Sequence, residues 1–416
     1  MSLFTETVLP FLTSLAAIWW VYPKVLRIAI DKNIVDNPDA RKLQRVPVPV
    51  LGGASVFFGL LVGMFCTETV MPLNNLLIIF GAMGIMLCIG VLDDIIGLTP
   101  KLRFFVEIAL VGGLVAVTGD SINDFHGLWG IYEIPFWAAL PLTVFAGVGI
   151  INATNLIDGV DGYSSGFCIM ACTLFGVMFH RLGNPDMVVL ASLSVGSLIP
   201  FFFHNVFGRR SKMFIGDSGT LMMGVVLMAF VVEILASGAV HNRIDSSLGL
   251  VPFTLAVMSI PVFDTLRVML VRICRGMSPF HPDKTHLHHL FIDLGFSHIG
   301  TTVSILLSDM FVVTCWLLSW RLGASVDVQL YVVVALSLLV TFGFYPFMRR
   351  QIAHDTGIYH LMRRIGRYTH KERTGVFLRI MNFMDRCAPE DTEKSGKSVK
   401  LSNSETQNAE FQTPVE

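Results

Sequence analysis

The chain has 416 residues, of which 53% are hydrophobic and 15% charged, with a mean hydropathy of +0.65 and a formal net charge of -1 at pH 7. That balance excludes an ordinary soluble domain and indicates a polytopic membrane protein. Runs at 136–151, 221–235 and 326–340 are predominantly apolar, without period-2 alternation. Spanning helices are therefore expected rather than a barrel, and the fold class expected is all-α.

Eleven spans are expected, at 4–22, 50–70, 76–92, 104–118, 136–151, 163–179, 187–205, 219–236, 248–266, 303–320 and 328–347. The first has no basic region before it. Its cations (Lys24, Arg27 and Lys32 among them) follow it, as in a membrane anchor rather than a cleaved signal peptide. The third span ends on Asp93 and Asp94. Ionised groups at the edge of hydrocarbon are costly and usually functional. Adjacent carboxylates are natural Mg²⁺ ligands, or bases beside one; the plainer reading is a helix end facing water. Lys101 and Arg103, before the fourth span, either meet a lipid phosphate or set the topology.

The fifth span runs into NATNLIDGVDG at 152–162. Asn152, Asn155, Asp158 and Asp161 recur every third residue and share one stripe if the helix continues. Gly159 and Gly162 let the backbone come close to a ligand. A polar turn would need neither the stripe nor both glycines. FIGDSGT at 214–220 opens the eighth span. Helix N-termini favour anions, and Asp217 there also suits an N-cap. With no triad partners in view, a serine hydrolase is set aside.

After the ninth span, Arg272, Arg275, His281, Lys284, His286, His288 and His289 crowd one loop. Zinc would need further nitrogen or sulfur ligands at suitable spacing beside these histidines. A diphosphate clamp fits better, against a solvated basic loop as the alternative. Asp264 and Arg267, at i,i+3, read as a structural ion pair. Glu107 and Glu233 are explained by snorkelling or helix contacts. The seven cysteines are expected to be free thiols.

Three units are expected: a membrane domain at 1–347, a basic juxtamembrane segment at 348–388 with an amphipathic helix on the anionic inner leaflet, and a disordered tail at 389–416. Of the 30 Lys and Arg, all but Arg181, Arg243 and Arg321 fall on one side of the expected spans. By the positive-inside rule the N-terminus lies outside, the C-terminus lies in the cytosol, and every motif faces the cytosol. A transporter would instead place ionisable groups near the midplane and often show two related halves. The clustering of polar motifs at one interface favours an enzyme for a charged, water-soluble substrate.

Together these blocks resemble the polyprenyl-phosphate N-acetylhexosamine-1-phosphate transferase superfamily (glycosyltransferase family 4), over about residues 30–300. The segment from Asp36 to Gly53, the pair Asp93-Asp94 with LTPKL at 98–102, NATNLIDGVDG and FIGDSGT follow the family's order. The loop ending His286-Leu-His288-His289 resembles the HxHH loop of the WecA/TagO-type branch, not the HHHxE of the MraY-type branch. One departure is Gly97, where many members carry the third carboxylate of DDxxD.

The resemblance implies transfer of GlcNAc-1-phosphate from UDP-GlcNAc to undecaprenyl phosphate, releasing UMP, at the cytosolic face of a bacterial inner membrane. A sister donor, another UDP-N-acetylhexosamine or UDP-MurNAc-pentapeptide, is the alternative. It implies Mg²⁺, with Mn²⁺ as a substitute, held by Asp217 and Asn155. Asp93, Asp94, Asp158 and Asp161 are the implied catalytic residues. Asn152, Lys101, Arg272, His286, His288 and His289 are the implied substrate contacts. Membrane lipids are expected partners, a homodimer is allowed, and no nucleic acid is expected.

Overall fold

A computed structural model describes residues 4–37, 46–69, 76–237, 247–280, 283–370 and 374–389. His281 and the tail beyond 389, expected to be disordered, lie outside the described residues. Helix α1 (Leu9–Asp31), entered through a π-helical turn (Phe4–Val8), leads to the short strands β1 (Val35–Asp36) and β2 (Val48–Pro49). Then come α2 (Gly52–Glu68), α3 (Leu76–Ile96), α4 (Pro100–Thr118), a hairpin of β3 (Asp124–Leu128) and β4 (Ile131–Glu133), α5 (Phe136–Leu156), α6 (Tyr163–Leu182), α7 (Pro185–Phe207) and α8 (Gly216–Leu235). The remainder comprises α9 (Leu250–Val257), α10 (Ser259–Cys274), α11 (Leu287–Asp293), α12 (His298–Arg321), α13 (Val326–Leu338), a π-helical segment (Leu339–Phe344), α14 (Tyr345–Ala353), α15 (Gly357–Tyr368) and α16 (Gly375–Met384).

Each of the eleven expected segments falls on a helix. Among the described residues, eight helices are long and apolar enough to cross a membrane. The ninth expected span is two helices, α9 and α10, bent by 71° at Met258. Asp309 of α12 latches that break: its carboxylate accepts from the Ser259 hydroxyl and, at 3.1 Å, from the Ile260 amide. α2 is shorter, at 17 residues, and α4 carries Lys101, Arg103 and Glu107 along its first turns. The chain is a helical multi-pass membrane protein with two small antiparallel ribbons added to the all-α plan.

Local signals set the helix ends. Thr99 accepts from the Leu102 amide with Pro100 in the first turn, and Asn184 and Ser297 cap α7 and α12 in the same way. All seven cysteines are free. The described residues of the basic segment 348–388 are mostly helical, and they also pack on the bundle. Phe377 meets Phe207 with ring centroids 5.2 Å apart, and Asp385 accepts the amides of Arg209, Arg210 and Ser211, each at 3.0 Å.

α8 is the buried axis, with α3 and α5 against it and α2 crossing its start. Small residues permit this approach: a Cβ at Gly90 would overlap the Ser218 backbone, and one at Gly53 would overlap Gly219. The segment before α8 adds backbone pairing. Phe214 donates to Pro49 O at 2.8 Å, while Gly52 and Gly53 donate to Phe214 O and Ile215 O at 2.9 Å each. Two motifs far apart in sequence are thereby joined strand-fashion.

Replacing Gly90 with Val should prise α3 from α8 and cost about 1–3 kcal/mol, as overpacking typically does. Thermal unfolding in detergent should show a lower midpoint than the parent. Gly81→Val on the same helix, where nothing lies within 4 Å, should leave the midpoint unchanged. Equal midpoints for the two variants would contradict this packing.

Candidate active site

A polar cavity of about 600 Å³ opens where α3, α5 and α8 converge. Six aspartates line it: Asp36, Asp93, Asp94, Asp158, Asp161 and Asp217. Asn155, Asn205, Lys212, His289 and His298 complete its polar wall. Asp36 arrives through the β1–β2 ribbon, and Lys212 on the segment that leads into α8.

Asp94 does not face the cavity as a free base. Its carboxylate accepts the Asp217 amide at 2.9 Å and the Ser218 amide at 3.2 Å, sitting on the first turn of α8. The α8 amides expected to suit a phosphate are thus shared with a carboxylate from α3. Helix N-termini need such acceptors when buried. Asp93 is held by the Leu98 amide at 2.6 Å and Arg103 at 3.1 Å. Arg103 also lies 3.6 Å from both Asp217 and Glu107. Asn155 donates to Asp217 at 2.6 Å and to Thr220 at 2.9 Å.

The expected stripe at 152–161 is only partly formed, because α5 ends at Leu156 and a turn follows. Asn155, Asp158 and Asp161 reach the cavity from helix and turn. Asn152 instead donates to Glu107 and to Val148 O, inside the bundle. The turn sits close on the histidine loop: a Cβ at Gly159 would overlap the His288 ring. Asp161 pairs with Lys212 at 2.6 Å and His298 at 2.8 Å. Burial alone would raise its carboxyl, but those two partners outweigh it and hold it below the ordinary range.

The histidine loop is divided. His289 lines the cavity; His288 is buried beneath Gly159, and His286 is bonded to Asp264 at 3.0 Å. Asp264 makes the ion pair expected with Arg267, at 2.6 Å. Arg272 grips Asp283 and Pro279 O, bracing the loop from within. Arg272, His286 and His288 therefore do not reach the cavity as a cationic clamp, because intrachain partners take up Arg272 and His286 and packing buries His288. Burial, with neighbouring His286 and Lys284 adding to it, pushes His289 down to about 4, so it is neutral near pH 7. Lys101 is exposed and outside the cavity wall. Sequence reasoning assigned no site role to Asp36, Asn205, Lys212 or His298. The only signals were Asp36 opening the first motif and Lys212 standing two residues before FIGDSGT.

The acidic ligand atoms are all oxygens, and the six carboxylates outnumber the cations beside them, Lys212 and Arg103. That chemistry suits a hard divalent cation such as Mg²⁺. Among the described residues no three His, Cys, Asp or Glu side chains converge as a complete metal cage. Mg²⁺ commonly takes one or two carboxylates and fills its remaining positions with water and phosphate oxygens, so the residues fit.

A second cavity of about 840 Å³ lies beside the first, between α4, α5, α9 and α10. Its wall is almost wholly apolar, with Phe104, Phe145, Leu255 and Met269 among its residues. Phe104 follows Arg103, and Asn152 in this wall is one helical turn from Asn155 in the other.

Burial lifts the Asp158 carboxyl to about 7; the Ser164 hydroxyl opposes this and the charges of Asp217 and Asp161 add to it. Folding therefore favours the protonated form. That contribution is complete below the unfolded carboxyl pKa of about 3.9 and is lost as pH rises through the folded value. Asp158→Asn should melt a few degrees above the parent at about pH 8, and the gap should shrink as pH falls from 7 toward 4. A gap independent of pH in thermal scans would refute the assignment.

Residues 76–235, which carry α3 to α8 and both aspartate motifs, match the family described as glycosyl transferase family 4. The undecaprenyl-phosphate alpha-N-acetylglucosaminyl 1-phosphate transferase of Yersinia pestis is 30% identical over 312 residues, covering 73% of this chain and 80% of that protein. A probable undecaprenyl-phosphate N-acetylglucosaminyl 1-phosphate transferase of Bacillus subtilis is 29% identical over 359 residues, covering 84% and 92%. The Escherichia coli K12 undecaprenyl-phosphate alpha-N-acetylglucosaminyl 1-phosphate transferase is 29% identical, covering 68% and 75%. A relative of this identity and coverage, with a family match centred on the acidic cavity, takes the chain out of the transporter class: it belongs to glycosyl transferase family 4, among the polyprenyl-phosphate hexosamine-1-phosphate transferases.

Proposed function

We propose that the protein transfers GlcNAc-1-phosphate from UDP-GlcNAc to undecaprenyl phosphate on the cytosolic face of a bacterial inner membrane. One observation carries this reading: an acidic cavity is linked to a neighbouring apolar one through Arg103, which contacts Asp93 and Asp217 of the first, and Glu107, which accepts from Asn152 of the second. A nucleotide sugar belongs to the first and an isoprenoid to the second, so their phosphates meet at that link. The names of the relatives support the same donor sugar and acceptor lipid. The cation asymmetry supports eleven crossings with the N-terminus outside.

A phosphate oxygen of the lipid attacks the sugar-linked phosphorus of UDP-GlcNAc. One O–P bond forms, the bond to the bridging oxygen breaks, and UMP leaves with that oxygen and its electron pair. Undecaprenyl-diphosphate-GlcNAc remains. Lipid phosphate is already largely ionised at neutral pH, so positioning can replace a general base. Asp94 accordingly acts through α8, by aiming Asp217. Arg103 balances charge between the two phosphates, while Asp161, Lys212 and His298 form the far wall for the nucleotide. His289 contacts the sugar diphosphate as a neutral imidazole. Mg²⁺, with Mn²⁺ as a substitute, would be held by Asp217 and Asn155 with Asp93 alongside, and would neutralise the phosphate oxygens.

The test is UMP release by purified protein supplied with undecaprenyl phosphate, Mg²⁺ and a panel of UDP-sugars. UDP-GlcNAc should be preferred, and chelating Mg²⁺ should stop turnover. Asp217→Asn should lower kcat by about 10²-fold or more while leaving the protein folded. His289→Ala should chiefly impair UDP-sugar use. Preference for another UDP-sugar would replace the donor, and an Asp217→Asn variant with parental turnover would remove Asp217 from the site.

A further inference from the structure

We propose that an anionic phospholipid, from the leaflet on the side of the acidic cavity, binds between α15 and the α11–α12 pair and steadies the histidine loop. Ile358, Leu361, Ile365 and Tyr368 recur at helical spacing on α15 and are 46%, 55%, 45% and 73% exposed. Arg363 and Arg367 occupy the opposite face, and Arg364 flanks the apolar stripe beside Tyr368. The helix follows directly on α14, the end of a spanning segment, so its apolar side lies at the membrane interface.

Beneath it is an apolar cavity of about 750 Å³, lined by Leu287 and Phe291 of α11, Ser308 of α12, Gly343, and Met362 and Ile365 of α15. It shares no residue with the groove assigned to the isoprenoid. The π-helical segment Leu339–Phe344 supplies Gly343 to one wall, and such turns are frequent at functional sites. This space suits an acyl chain. Arg350, Arg364 and Arg367 are exposed and make no ion pair among the described residues. Guanidinium groups beside an apolar interface favour an anionic headgroup over a zwitterionic one.

The site is wired to the chemistry. The Ser297 amide donates to Thr369 Oγ1 at 2.9 Å, and the Ser297 hydroxyl donates to Thr369 O at 3.0 Å. A Cβ at Gly366 would lie 2.8 Å from Leu294 O, so α15 rests on the backbone that joins α11 to α12. His289 is on α11, and His298, the partner of Asp161, begins α12. A lipid holding α15 in place thereby holds both histidines.

The experiment uses full-length protein in nanodiscs of phosphatidylcholine, with or without phosphatidylglycerol, and follows hydrogen exchange across 287–300. Phosphatidylglycerol should slow that exchange severalfold and lower the KM for UDP-GlcNAc. The double variant Arg364→Glu/Arg367→Glu should lose both responses while matching the parent in phosphatidylcholine. Gly366→Val, which lifts α15 from the backbone at 294–295, should lose the protection with or without phosphatidylglycerol. Identical exchange in the two discs, or an unaltered response in the charge variant, would overturn the proposal. So would protection in phosphatidylcholine discs conferred by undecaprenyl phosphate alone, which would make the pocket part of the acceptor site. The KM arm rests on the transferase reading and the exchange arm does not. Protection without turnover in any disc would therefore sink the enzyme assignment and leave the lipid site standing.

Discussion

The Asp94 carboxylate on the first amides of α8 is the interaction from which the site takes its shape. A helix that begins inside a membrane protein leaves its leading N–H groups without partners, and burial makes that costly. Asp94 satisfies two of them from a neighbouring helix. It can do so only because Gly90, one turn earlier on α3, lets the two backbones touch. The same contact sets Asp217, which supplies one of those amides, with its side chain facing Asn155 and Arg103. The strand-like pairing of 49–53 with 214–215 secures the other side of the helix start.

Charge balance is the second constraint. Six carboxylates around one small cavity repel one another and repel phosphate. The protein offsets part of this locally, with Arg103 between Asp93 and Asp217 and with Lys212 and His298 on Asp161. His288 and His289 add little positive charge, since burial keeps them neutral. What remains is a surplus of oxygen donors, an arrangement that favours a divalent cation and anionic ligands arriving together.

The membrane shapes the rest. A helix cannot simply break in hydrocarbon, because freed amides need partners. Asp309 supplies one at the Met258 bend, and the bent pair opens an apolar groove next to the acidic cavity. Chemistry that joins a lipid to a water-soluble substrate needs such a boundary. On the far side of the histidine loop, α15 and α16 return to the bundle and tie its rim to α12 and α7.

The apolar runs determined where helices would form, since hydrophobic length and the absence of alternation are local properties. All eleven expected segments fall on helices, and Asp93, Asp94, Asn155, Asp158, Asp161, Asp217 and His289 stood out as polar groups at their ends. The family order of the motifs, read in sequence, agrees with the relatives found. Partner choice was not local. Arg272 and His286 looked like a clamp, yet Asp283 and Asp264 claim them within the same loop. Asn152 looked like one more member of a stripe, yet Glu107 on α4 turns it inward. His298 and Asn205 carried no signal of their own, and Lys212 only its place two residues before FIGDSGT. Composition and spacing determined that this chain is a membrane protein with an acidic site. Which side chains face that site was decided only by tertiary structure, because each buried polar group takes the partner that packing brings within reach.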